Sequence, residues 1–149
     1  MTKTRLVTAF KRAEDSPGFL LWRLTNKWQA QQRAALKSFG LTHVQFVLLA
    51  TLTYAANKSS FTQKQLAQYA QVDVMMTSQV IRKLEEKGLI KREPSKIDAR
   101  AFTINPTQAG IELANRTVKE VETVDRQFFG SLGADCEKLV TMMRRLNDA

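Results

Sequence analysis

The side chains best suited to chemistry lie between residues 73 and 100, in the run DVMMTSQVIRKLEEKGLIKREPSKIDAR. Thr77, Val80, Ile81 and Leu84 recur at helical spacing and form one apolar stripe. Ser78, Gln79 and Arg82 fall mostly off that stripe, next to Met75 and Met76. A glutamine amide there could pair with adenine, a serine hydroxyl could donate to a base or a phosphate, and Met76 could touch a thymine methyl. Asp73 suits a different task, capping the helix by accepting its first free N–H groups. This is chemistry for recognising base edges. An ordinary solvated helix face could carry the same residues, so the surroundings matter.

A second cluster follows: Lys91, Arg92, Lys96, Asp98 and Arg100. The planar, always-charged fork of Arg100 suits a narrow minor groove or a phosphate. It could instead pair with Asp98 and merely fix a hairpin. A solvated basic hairpin would look similar.

Other chemistries have little support. The only histidine is His43, and no His, Cys or carboxylate cluster has metal-ligand spacing. Glu85 and Glu86 are adjacent, so on a helix they face different ways and make a poor acid/base pair. Gly18, Gly40, Gly88 and Gly110 are isolated, and no phosphate-cradling glycine loop is evident. No enzyme activity, cofactor or metal is expected. Phe19, Trp22, Trp28, Phe46 and Tyr54 could line a pocket for a small aromatic ligand, with His43 or an arginine binding a carboxylate. The alternative is that they are core aromatics.

The chain has 149 residues, 44% of them hydrophobic, which suits one domain with a real core. Its net charge of +9 favours an anionic partner through counterion release. Charge alone does not separate DNA from RNA, a membrane surface or an acidic protein. The single cysteine, Cys136, excludes an intrachain disulfide and suggests a reducing compartment. Among apolar neighbours it reads as a buried small hydrophobe. The N-terminus shows no signal-peptide pattern, and the run FVLLATL is far too short to span a bilayer. A cytoplasmic protein with no membrane partner is expected.

The elements that must position these residues are mostly helices. Residues 1–14 are basic, with Lys3, Val7, Phe10 and Lys11, and could form a helical arm or a frayed end. Ser16, Pro17 and Gly18 mark a helix start, and a long helix runs from Phe19 to Phe39 with Gly40 as C-cap. Its stripe reads Leu20, Leu24, Trp28, Gln31, with Leu21 and Leu36 close by. A helix this long exceeds what a small core covers, so part of it could bury against another subunit. Thr42 with Gln45, and Thr62 with Gln65, are capping-box pairs that open two further helices. Gln71-Val72-Asp73 is a tight turn before the helix that Gly88 ends.

Two short strands with a basic loop come next, Arg100, Phe102 and Ile104 sharing one face of the second. Asn105-Pro106 or Thr107 starts a long helix from Gln108 to Phe129. A last helix, from Asp135 to Leu146, turns Cys136, Leu139, Val140, Met143 and Leu146 inward. The fold class is mainly α with a small β-hairpin wing. Two short helices around a tight turn are one standard way to place a helix in the major groove of double-stranded DNA. A nonspecific, architectural DNA-binding protein or a winged-helix protein-interaction module would use much the same features.

The blocks LTHVQFVLLATL, FTQKQLAQYAQVDVMMTSQVIRKLEEKGLIKR and DARAFTINPTQAG, in that order, resemble the MarR family of bacterial transcription regulators. The resemblance runs from about Gly18 to the end. It implies a winged helix-turn-helix over 41–105, and a helical dimerisation region formed by 1–40 and 106–149. It further implies a homodimer on a pseudo-palindromic operator; on the repressor reading, occupying that operator would block or alter polymerase access. The helix from Asp73 to Lys87 would enter the major groove, and the wing around Ser95 to Arg100 the minor groove. Asp98 and Arg100 match the family's wing acid and arginine, the acid usually bracing the arginine. Many relatives release DNA on binding a small aromatic or phenolic effector. Three departures stand out. Ala99 occupies a place that is often basic, Met75 and Met76 replace small hydroxyl residues, and Pro106 replaces a common leucine. The N-terminal cysteine of the family's peroxide sensors is missing.

Overall fold

The structure, a computed structural model, describes residues 5–149. Nine principal elements follow the chain: α1 Pro17–Leu36, α2 His43–Ala55, β1 Phe61–Thr62, α3 Gln63–Ala70, α4 Val74–Glu86, β2 Ile90–Pro94, β3 Phe102–Pro106, α5 Gln108–Phe129 and α6 Asp135–Asn147. The expected N-terminal helical arm lies partly outside the described residues. From residue 5 to residue 12 the chain is irregular, and one 3₁₀ turn, Ala13–Asp15, precedes α1.

Local chemistry sets most helix starts. Ser16 Oγ accepts from the Phe19 N–H at 3.2 Å, with Pro17 in the first turn. Both capping boxes form: Thr42 and Gln45 exchange bonds of 3.2 Å each, and Thr62 and Gln65 bonds of 3.2 and 3.0 Å. Gly40 takes a left-handed φ of 70°, which ends the first helical segment at low cost.

The core gathers around α2. Leu48, Leu49 and Leu52 meet Leu66 of α3, Ile81 and Leu84 of α4, Ile90 and Ile104 of the sheet, and Ala114 and Val121 of α5. On α1 the inward line is half-buried Trp28 followed by buried Gln32 and Leu36, in steps of four, with Gln31 exposed. Gln31 was therefore misplaced on the stripe. Gln32 is buried because its amide Nε2 donates to Val121 O at 3.3 Å and to Asp125 Oδ1 at 2.8 Å.

The sheet has three antiparallel strands in the order β1-β3-β2, not the expected two. Phe61 and Arg92 both lie opposite Ile104. β3 begins at Phe102, so Arg100 belongs to the preceding turn and shares no strand face with Ile104; Phe102 is exposed and Ile104 buried. Asn105 and Pro106 end β3 rather than open α5. Pro106 is tolerated at a strand end beyond the stretch that β1 pairs. Thr107 is the cap of α5, its Oγ1 accepting from the Gly110 N–H at 3.1 Å.

Gly110 is needed for a close approach. A Cβ there would collide with the Leu89 carbonyl oxygen and lie 3.3 Å from Leu49 Cδ1. Thr107 completes the joint, its N–H donating to Leu89 O at 3.0 Å and its hydroxyl to Gly88 O at 2.7 Å. The start of α5 is thereby fastened to the end of α4 and the start of β2.

The inward face expected for α6 is not buried within one chain. Cys136 and Leu139 are half-buried, and Val140, Met143 and Leu146 are exposed. The helix packs chiefly on the turn Gly130–Leu132 before it, so there is little within the chain to cover that face.

Candidate nucleic-acid interface

α3 stops because Gln71 adopts a left-handed φ of 56°, and its N–H bonds back to the α3 carbonyls. Val72 N donates to Ala67 O at 3.0 Å, which closes the turn. Asp73 then caps α4, its Oδ2 accepting from the Met76 N–H at 3.0 Å. Its own carbonyl accepts from Thr77 N at 2.8 Å and from Thr77 Oγ1 at 2.9 Å. Burial of Thr77, Val80, Ile81 and Leu84 fixes the rotation of α4. Met75, Met76, Gln79 and Arg82 consequently face solvent, and Ser78 is half-buried. Among the described residues, the side chains of Gln79 and Arg82 have no hydrogen-bond or ion-pair partner within the chain.

The wing is shaped by its own turn. Ser95 N donates to Ala101 O at 3.0 Å, and Ser95 Oγ accepts from the N–H groups of Ile97 and Asp98 at 3.2 and 3.3 Å. Asp98 Oδ1 accepts from the Arg100 backbone N–H at 3.0 Å. The acid therefore braces the backbone of the arginine, while the guanidinium stays exposed without a carboxylate partner among the described residues. Lys96 is likewise exposed. Lys91 Nζ lies 2.9 Å from Glu93 Oε1, and Arg92 Nε lies 3.3 Å from Glu85 Oε2. These two cations are partly neutralised, and the Arg92 pair ties β2 to α4.

Some positioning residues escaped the sequence reading. Lys87 Nζ donates to Gly40 O at 2.6 Å and to Gln45 Oε1 at 3.2 Å, clamping the end of α4 to the start of α2. No local spacing signals a contact between residues so far apart. Val74, beside the two methionines, is exposed as well. A half-exposed apolar tip could have been noticed from the tripeptide Val74-Met75-Met76.

The six residues proposed to line one pocket are not brought together. Phe19 and Trp22 stand on the exposed end of α1, and Phe46 is in the core. Trp28 packs edge-on against His43, with ring centroids 4.9 Å apart, and its Nε1 donates to Asp125 Oδ1 at 2.7 Å. Burial lowers the His43 pKa; the charge of Asp125 opposes this and that of Arg33 adds to it. Tyr54 alone lines a cleft of about 440 Å³, together with Lys58, Phe61, Tyr69 and Val118. Lys58 Nζ sits 4.3 Å from the centre of the Tyr54 ring.

The described residues hold no group of three or more His, Cys, Asp or Glu side chains able to bind a metal. No single helix among them is long and apolar enough to cross a membrane.

Comparison with known proteins gives a consistent picture. A model of the MarR family matches residues 41–102. The HTH-type transcriptional regulator YdcH of Bacillus subtilis is 42% identical over 82% of this chain and 84% of its own length. An HTH-type transcriptional repressor of Mycobacterium bovis is 33% identical, over 82% of this chain and 86% of its own. Among solved structures, Bordetella bronchiseptica BpsR, described in terms of regulation of its DNA binding by 6-hydroxynicotinic acid, aligns with a TM-score of 0.84. It is 22% identical and covers 95% of this chain and 99% of its own, so it bears on the fold. With its winged helix-turn-helix and these relatives, the chain belongs to the MarR family of DNA-binding transcription regulators.

Proposed function

We propose that the chain acts as a homodimeric, sequence-specific repressor of a pseudo-palindromic operator. One observation carries this reading: α4 turns Met75, Met76, Gln79 and Arg82 outward, with Ser78 at their edge, beside a wing whose Lys96 and Arg100 have no acid partner among the described residues. In this reading Gln79, Ser78 and Arg82 meet base edges or nearby phosphates in the major groove. Lys96 and Arg100 reach the minor groove or backbone, Asp98 holds the turn, and Lys91 and Arg92 add charge to its base.

Dimerisation is assigned to residues 1–40 and 106–149, and DNA binding to 41–105. What supports this is the apolar surface left on α1 and α6: Phe19, Leu20, Leu21, Trp22, Leu24 and Met143 are all exposed in the single chain. Leu24 lines one hollow with Leu139 and Met142 of α6, and exposed apolar surface of this extent marks an interaction site. The name of the Mycobacterium relative supports repression.

A small aromatic or phenolic effector would occupy the cleft beside Tyr54, whose walls are mostly apolar and whose rim carries Lys58. The ligand in the BpsR description supports such control. No cofactor takes part, no membrane is involved, and the place of action is the cytoplasm.

The experiment is a titration of the protein against a duplex recovered from a random-sequence pool and against unselected duplex, at matched salt. A specific regulator binds the first on the order of 10³-fold or more tightly. Equal affinity would instead make it an architectural binder, and no affinity for either a protein-interaction module.

A further inference from the structure

At the start of α4 three consecutive apolar side chains stand in water: Val74, Met75 and Met76, at 60, 73 and 45% exposure. The residues on either side are engaged. Asp73 is tied to the Met76 N–H, and Thr77 is fully buried. Next to Val74 is a shallow hollow of about 350 Å³ that Gln68, Gln71 and Val72 also line. Met75 and Gln79 are four residues apart, and Met76 and Gln79 three, so the methionines continue the outward face that Gln79 and Arg82 occupy. An apolar tip inside a surface that must meet a polyanion needs an apolar feature on that polyanion.

The major-groove edges of the four bases offer only one such feature. It is the C5-methyl group of thymine; cytosine shows only a small C–H at that place, and the other recognition groups are hydrogen-bond donors and acceptors. Pressing a methionine against those polar groups would strip their water and give nothing back. Pressing it against a methyl removes apolar surface of both from water. The unbranched thioether chain can adjust to a methyl whose place varies with DNA shape. Resting on the DNA-binding reading above, we infer that Met75 and Met76 form a thymine-methyl reader. Each half-site therefore carries thymine where it faces the first turn of α4, and Gln79 and Arg82 read the neighbouring base pairs.

The test uses the full chain and duplexes selected from a random-sequence pool. In the recovered duplex each thymine is replaced in turn by deoxyuridine, which pairs identically and lacks only the methyl. The expected result is a loss of about fourfold in affinity per methyl at symmetric positions in the two half-sites, and none elsewhere. In the double variant Met75→Ala, Met76→Ala that uracil penalty disappears. The exposure of both side chains leaves the core intact in the variant, which thermal unfolding checks. Uracil tolerated at every position, or a penalty that persists in the double variant, overturns the inference while leaving DNA binding standing. A pool that yields no enriched duplex overturns the DNA-binding reading, and this inference with it.

Discussion

The indole N–H of Trp28 donates to Asp125 Oδ1 at 2.7 Å, joining α1 to α5 across 97 positions of sequence. The same oxygen accepts from Gln32 Nε2 at 2.8 Å. One carboxylate oxygen thus serves two donors, one of them on a fully buried glutamine whose other amide atom, Oε1, has no partner among the described residues. Asp125→Ala leaves both donors short of an acceptor. The expected loss is about 1–3 kcal/mol, read as a lower denaturant midpoint. Exposed Glu122→Ala is the control, and an equal shift in both would show that the bond adds nothing.

His43 packs on Trp28 in the same region, and its pKa gives a sign for acid stability. Burial, the main cause, holds it below the usual 6.5; Asp125 works against the shift and Arg33 with it. The unfolded chain therefore binds the proton more readily than the folded one. This contribution to stability is complete above about pH 6.5 and is lost as pH falls from there through the folded pKa. His43→Gln should lose less stability than the wild type between neutral and mildly acidic pH. Parallel stability profiles would contradict that sign.

Gly110 allows α5 to begin against the Leu89 carbonyl. Gly110→Ala adds a Cβ where backbone already lies, and backbone cannot yield as a flexible side chain does. A loss of about 1–3 kcal/mol or more is expected, although alanine is the better helix former. Thermal unfolding measures it. A stabilised variant would mean that the joint between α5 and β2 is loose.

Legibility in the sequence followed the range of the interactions. The capping boxes at Thr42–Gln45 and Thr62–Gln65, and the Asp73 cap, act over three residues, so residue type and spacing revealed them. The α4 stripe was equally plain, since one face of one helix sets it. β1 was missed because two residues carry no periodicity and pair with a distant strand. Gln31 was preferred to Gln32 because hydrophobic spacing cannot see a polar residue held inside by Asp125 and Val121. The α6 face was read as inward from its apolar spacing, but the described residues do not cover it. The aromatic residues were grouped by type, and the fold sends them to separate places. Asp98 was expected to brace Arg100, and the contact is to the backbone N–H; only turn geometry decides which group of the arginine it meets.

The wing and α4 should fail differently on mutation. Arg100→Ala should weaken binding about evenly across sequences and lower the salt slope by about 1. Gln79→Ala should relax discrimination by about 1–3 kcal/mol at one base position. Competition against single-base variants of the selected duplex, repeated at several salt concentrations, separates the two. If Arg100→Ala changed base preference more than Gln79→Ala did, the assigned roles would be reversed.

The exposed end of α1 should hold the dimer together. Leu20→Glu with Leu24→Glu places two charges in that apolar face. Sedimentation should show a monomer that retains its helical content. A variant that remains dimeric would move the interface elsewhere.

The central claim is that two α4 helices, related by a dyad, read one operator. Hydroxyl-radical footprinting on the selected duplex addresses it most directly. The expected pattern is two symmetric protected patches whose centres lie about one helical turn, or a whole multiple of it, apart. A single unsymmetrical patch, or protection that drifts along the duplex without a fixed boundary, would contradict it.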